Sequence, residues 1–208
     1  MEIELKYSVP TKKVMEEIEE DAYLFSIEEE HTREKRAFKA SYFDTEDHDL
    51  LKNDIAFRIR MEGDKLQATL KWKGRVEGAL HKREEINVPL KDDKAYIMPS
   101  VNVFCESEIG KEVIKLVNKK PFICLMEMGF LRTSFKVDTG KSIIEVSLDQ
   151  GEILTDKGNT FIQELELELF SGETEELMKL GERLMTTYDL LPGSESKFLR
   201  GLKLLNIR

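Results

Sequence analysis

Glu2, Glu4 and Lys6 occupy alternate positions at the start of the chain, and the same two-residue spacing recurs in three other places. Arg58 and Arg60 form one block, Lys71 and Lys73 a second, and Glu164, Glu166 and Glu168 a third. On a β-strand, alternate residues share a face. The intervening positions are apolar: Ile3 and Leu5, Phe57 and Ile59, Leu70 and Trp72, then Leu165, Leu167 and Leu169. Half-wet strands ordinarily mix both charge signs with Thr, Ser and Gln on the polar face. Here each face carries one sign. Like charges two residues apart on a strand, about 6.5–7 Å, repel by about 0.6 kcal/mol in water and by more in a confined cleft. A polyvalent anion would relieve the Lys and Arg blocks, and a divalent cation the Glu blocks. A metal–phosphate ligand answers both together. Neither a Ser-His nor a Cys-His pair is apparent for covalent chemistry. The three histidines, His31, His48 and His81, are scattered and read as surface or rim residues.

The elements needed to hold these blocks are short strands joined by turns. Alternation predicts strands over residues 1–9, 35–43, 55–62, 67–73 and 82–90. In the second half it predicts them over 123–137, 142–148 and 162–170. Gly63-Asp64, Gly74, Gly78, Thr139-Gly140 and Gly151 supply turn signals, which points to antiparallel pairing. Helical spacing marks 12–24, 106–118, 173–188 and 196–205, and Asp44-Thr45 suits a turn before a short helix. The fold class is α+β, one domain over residues 1–208, with Phe57 and Trp72 on the apolar faces that pack beneath helices. The chain has 208 residues, 35% of them charged, with net charge −9. That balance disfavours a general nucleic-acid binder, which would show a basic footprint. No run of 18 apolar residues suggests a membrane span. Two widely spaced cysteines and an acidic start unlike a signal peptide suggest a reducing, cytoplasmic compartment.

In order along the chain, these motifs resemble the CYTH domains, also called triphosphate tunnel metalloenzymes. They begin with E-x-E-x-K at Glu2, Glu4 and Lys6, YFDT from Tyr42, FRIR from Phe57, LKWKG from Leu70 and REE from Arg83. Arg132, VSLDQG ending at Gly151, ELELEL from Glu164 and SKFLRG from Ser196 complete the set. The resemblance implies an eight-stranded antiparallel β-barrel enclosing a tunnel, with helices packed outside. It implies that Lys6, Arg58, Arg60, Lys71, Lys73, Arg132 and Lys197 hold phosphate oxygens, with Arg83, Glu85 and Lys136 as further inner-wall residues. Glu2, Glu4, Glu145, Asp149, Glu164 and Glu166 would bind Mg²⁺ or Mn²⁺. Arg200 would anchor the last helix. Asn87 stands where many relatives carry a carboxylate, which bears on a second metal site or on substrate preference.

Relatives of this kind include inorganic triphosphatases, thiamine triphosphatases and class IV adenylyl cyclases. The expected ligand is therefore tripolyphosphate, thiamine triphosphate or a nucleoside triphosphate. The expected reaction is metal-assisted hydrolysis, with Glu2 or Glu4 orienting the attacking water and Lys6 on the phosphate. Cyclisation of ATP to cyclic AMP is the alternative, and a non-catalytic polyphosphate-binding module a further one. No nucleic-acid or membrane partner is expected. Dimers are common among barrels of this type, so a homodimer stays open, though no segment reads as an interface.

Overall fold

A computed structural model of the chain describes residues 2–91, 94–193 and 195–207. Met1, the first residue of the predicted opening strand, lies outside the described residues. In chain order the elements are β1 (Glu2–Ser8), α1 (Lys12–Glu19), α2 (Ala22–Ile27), β2 (Glu34–Thr45), β3 (Ala56–Glu62), β4 (Lys65–Glu77) and β5 (Leu80–Leu90). Then follow α3 (Lys94–Ile97), α4 (Glu108–Val117), β6 (Phe122–Asp138), β7 (Ser142–Thr155), β8 (Gly158–Gly172), α5 (Thr174–Tyr188), β9 (Leu191–Pro192) and α6 (Lys197–Leu205).

All strand pairs are antiparallel, in the order β5-β4-β3-β2-β6-β7-β8-β1, and β1 pairs back onto β5 to close an eight-stranded barrel. The two-residue β9 adds to β1 beside it. Closure removes the sheet edges and gives every strand one face toward a common interior. Leu5, Phe135, Val146 and Leu167 face outward and are covered by α1, α2 and α5 through Met15, Ile18, Leu24 and Leu180. Phe57, Ile59 and Leu70 face outward under α4, with Trp72 packed against the same cluster, as the alternation predicted.

Helix α6 packs differently. Its Leu202 and Leu205 meet Met126, Met128, Ile153 and Ile162 at one end of the barrel, and its Phe198 stacks on Tyr42 with ring centroids 4.7 Å apart. One end of the tunnel is thus covered by a helix whose first turn carries Lys197.

Several elements differ from the sequence expectation. The single helix over 12–24 is two helices, because Asp21 accepts a hydrogen bond from Leu24 N at 2.8 Å and caps a new start. The strands of the second half run further than predicted. Gly151 is not a turn but lies within β7, where a Cβ would come 2.1 Å from Gly129 O on β6. Glycine there permits close approach of two strands rather than a reversal. Asp44 behaves as expected of a loop organiser: its carboxylate accepts from the N–H groups of Thr45, Leu50 and Leu51 at 2.7–3.0 Å.

Candidate functional site: a charged tunnel through the barrel

The barrel encloses a cavity of about 310 Å³ lined by charged residues from opposite sides of the wall. Strand alternation brings Glu2, Glu4 and Lys6 from β1, Arg58 and Arg60 from β3, and Lys71 from β4 to this chamber. Arg83 and Glu85 come from β5, Arg132 from β6, Glu145 from β7, Glu166 and Glu168 from β8, and Lys197 from the first turn of α6. These residues span the sequence from end to end, so only barrel closure assembles them.

On one side the charges interlock. Glu166 receives Lys6 Nζ at 2.7 Å, Lys197 Nζ at 2.8 Å and Arg132 Nη2 at 2.5 Å. Asp149, with no exposure to solvent, takes a bidentate pair from Arg132 at 2.6 and 2.7 Å and an ion pair from Lys197 at 2.7 Å. Glu164 pairs with Lys197 at 2.7 Å and with Arg200. Burial opposes the charge on Glu166, but Lys197, Lys6 and Arg132 outweigh it and hold the carboxyl well below the usual range. Burial also opposes the charge on Lys6, yet Glu166 and then Glu4 hold its ammonium above the ordinary lysine value. Lys197 and Arg132 are raised in the same manner against burial, Lys197 by Asp149, Glu164 and Glu166, and Arg132 by Asp149 and Glu166.

Across the chamber the arginines lack such partners. Among the described residues, Arg58, Arg60 and Arg83 make no ion pair within 4.0 Å. The Nε atoms of Arg58 and Arg83 are buried without a hydrogen-bond partner, and Arg60 donates only to the neutral Gln67 at 3.1 Å. Burial, then Arg58 and Arg132, pull Arg60 down to about 10, so it remains charged near neutral pH while lying in an excess of positive charge. Lys71, by contrast, is held by Glu2 at 2.8 Å and Glu85 at 2.8 Å.

The acidic wall is only partly neutralised, by Lys71 on Glu2 and by Lys6 on Glu4. Glu168 has no ion-pair partner among the described residues, and its carboxyl is pushed up to about 7 by burial, then by Glu2, Glu4, Glu145 and Glu166. Burial also raises Glu2, against the pull of Lys71, with Glu4 and Glu85 adding to the rise. Glu168 belongs to ELELEL but is absent from the site set inferred from sequence. Its place as the third alternate Glu was the signal for it.

Four residues of that set lie elsewhere. Lys73 does not share a face with Lys71. The register slips between Trp72 and Arg75, and Lys73 adopts φ +52°, so this bulge turns its side chain out of the tunnel and leaves it exposed. Asp149 and Glu164 lie behind the wall cations rather than on the chamber surface, which suits them to orienting Arg132, Lys197 and Arg200. Lys136 stands outside this chamber, with Nζ 3.6 Å from the centroid of Phe170. His81 is buried, not at the rim: Nε2 bonds Gly193 O at 2.8 Å, and burial lowers its basicity. Asn87 donates to Glu85 at 2.7 Å and accepts from Thr69 at 2.7 Å, so its amide serves two partners where a carboxylate could serve one.

The sequence profile of the CYTH domain matches residues 1–202. The chain belongs to the CYTH domain family. Over 161 residues it is 34% identical to an inorganic triphosphatase of Haemophilus influenzae, an alignment covering 77% of this chain and 44% of that relative. The chain therefore matches less than half the length of that relative. A solved Hippeastrum protein, described as an adenylyl cyclase candidate with a dominant triphosphatase activity, superposes with a TM-score of 0.73 and 20% identity. The match covers 100% of this chain and 97% of that one. A Bacillus halodurans protein described as an adenylate cyclase candidate gives 0.60 and 18%, covering 96% of each chain. At these identities the likeness establishes the barrel and no more.

CYTH membership implies divalent-metal dependence. The donor set fits that implication through its chemistry: Glu2, Glu4, Glu145 and Glu168 are hard oxygen donors, of which Glu2 shares Lys71 with Glu85, Glu4 shares Lys6 with Glu166, and Glu145 and Glu168 have no ion pair among the described residues. Among the described residues, no three carboxylates, histidines or cysteines already converge on a single metal-sized point. No helix among the described residues is long and apolar enough to cross a membrane.

Proposed function

We propose that this chain, acting as one domain, hydrolyses the terminal phosphoanhydride of a triphosphate, with inorganic tripolyphosphate as the first substrate to test. The observation that carries this reading is the guanidinium row Arg58, Arg60 and Arg83, without a carboxylate partner among the described residues, facing a partly neutralised carboxylate wall across about 310 Å³. Buried cations without counter-charges are costly, and a ligand bearing several negative oxygens supplies what they lack.

Arg58, Arg60 and Arg83 would hold the phosphate chain, and Lys6, Lys71, Arg132 and Lys197 would line its path. Interlocked carboxylates fix the last four in place, so little reorganisation is needed as charge develops on the phosphoryl oxygens. Glu2, Glu4, Glu145 and Glu168 would hold Mg²⁺ or Mn²⁺. Such a cation, when bound, neutralises phosphoryl charge and makes a coordinated water more acidic. Glu2 or Glu4 would orient the attacking water. The water oxygen bonds to the terminal phosphorus, the bridging P–O bond breaks toward diphosphate, and the released proton passes to a wall carboxylate and on to solvent.

Phosphorus NMR tests this reading. The protein is incubated with tripolyphosphate, thiamine triphosphate, ATP or GTP, each with Mg²⁺ or Mn²⁺. Orthophosphate with diphosphate, or with the matching organic diphosphate, is the expected result. Cyclic AMP with diphosphate would instead support a cyclase, and binding without turnover a non-catalytic module.

A further inference from the structure

The chamber does not end at Arg60 and Arg132. Away from α6, these two residues and Glu145 also line a second cavity of about 460 Å³. Its wall continues the same inner faces, through Arg36 and Phe38 of β2 and Ser134 and Lys136 of β6. Its rim is built rather than loose. In the loop after α2, Thr32 Oγ1 accepts from Lys136 N at 3.0 Å, Glu29 N donates to Lys136 O at 2.9 Å, and Arg33 pairs with Glu28.

Two features give this vestibule a direction. At the far end α6 covers the barrel, so Tyr42 and Phe198 stack where a chain would otherwise leave. Along β2, the inner face runs from Tyr42, opposite Arg58, back to Arg36, opposite Arg132, about 20 Å of strand at ~3.4 Å per residue. Strand tilt shortens the axial distance only modestly. A triphosphate engaging Arg58 and Arg60 leaves the remainder of this track empty. Within that remainder, Arg36 is neutralised by Glu34 and Glu62, but Lys136 has no carboxylate within ion-pair distance among the described residues. A cation that rests on the Phe170 ring and has no carboxylate to neutralise it therefore lies beyond the reach of the short ligand.

We propose that this second cavity is an entry vestibule for linear polyphosphates longer than triphosphate, held end-on with the terminal phosphoryl group in the main chamber. A chain with no side groups can thread past Phe38 and Phe130, whose rings stack 5.4 Å apart on the wall between Arg60 and Arg132. The proposal deepens the triphosphatase reading and rests on it. Each turnover breaks one terminal P–O–P bridge with one water, releasing orthophosphate and a chain one unit shorter.

Calorimetric titration of the full chain with tripolyphosphate and with a linear polyphosphate of several tens of units, both with Mg²⁺, tests it. The long chain is expected to bind roughly tenfold tighter, the worth of one added charge-assisted contact. Lys136→Ala should remove about that gain, and Ser134→Glu, which places a carboxylate in the vestibule, should reduce long-chain affinity by a similar factor. Both variants should bind tripolyphosphate within about twofold of the parent, a change well under 1 kcal/mol. Equal affinities for the two ligands in the parent, or equal losses for both in the variants, would overturn the vestibule. Internal cleavage to mixed fragments would overturn the end-on placement. Failure of tripolyphosphate itself to bind would instead sink the triphosphatase reading, a separate result.

Discussion

The two sides of the tunnel wall are both charged and differently finished. On the side built by β1, β6, β7, β8 and α6, each buried cation has its carboxylate: Lys6 with Glu166, Arg132 with Asp149, Lys197 with all three of Asp149, Glu164 and Glu166. On the side built by β3 and β5, Arg58, Arg60 and Arg83 find no carboxylate within ion-pair distance among the described residues. A satisfied buried cluster fixes geometry, because moving any member strands the others. An unsatisfied one stores affinity, because a ligand supplies what the fold withholds. The first side thus acts as a mould, the second as the grip.

That division should separate stability from binding in mutants. The largest effect is expected for Glu166→Gln, which leaves Lys6, Lys197 and Arg132 short of a partner. Urea denaturation should show a loss on the order of 3 kcal/mol, as for other broken buried ion pairs. Because the native Glu166 carboxyl is held below its ordinary value, its contribution is present at neutral pH and lost as pH falls through the depressed native value. The parent should therefore lose more stability on acidification than the variant.

Arg58→Ala comes next. It should lower tripolyphosphate turnover by roughly a hundredfold, while changing unfolding free energy by less than about 1 kcal/mol. A large fall in stability with intact turnover would reverse the roles assigned to the two sides.

Glu168→Gln tests the acidic wall. Burial and the neighbouring carboxylates push the native carboxyl up to about 7 from an ordinary 4.5, so the folded state holds that proton more tightly. Its stabilising effect is complete below the ordinary value and fades as pH rises to the native one. In chelator, the thermal midpoint of the parent should therefore decline between these values relative to the variant. Lys73→Ala should do least: with its side chain outside the tunnel, turnover should stay within about twofold of the parent.

Most of the barrel is legible in the sequence because period-two alternation is strict at Glu2–Lys6, Phe57–Arg60 and Glu164–Leu169. A closed barrel then leaves one inner face for the polar positions. What escapes is local. Alternation cannot foresee the bulge that turns out Lys73, nor that Gly151 serves strand approach instead of a turn. It also cannot tell a carboxylate on the wall from one behind it, so Asp149 and Glu164 read like Glu168 until the cations between them are placed. His81 escapes for a similar reason: only closure of β5 on β1 buries it against Gly193.

The most direct measurement is the thermal unfolding midpoint of the parent and of Arg58→Ala, with and without saturating tripolyphosphate and Mg²⁺. Mass action makes the midpoint rise with any ligand bound by the native state alone. The account predicts matching midpoints without ligand, a large rise in the parent, and a rise mostly lost in the variant. An equal rise in both proteins, or none in the parent, would contradict it.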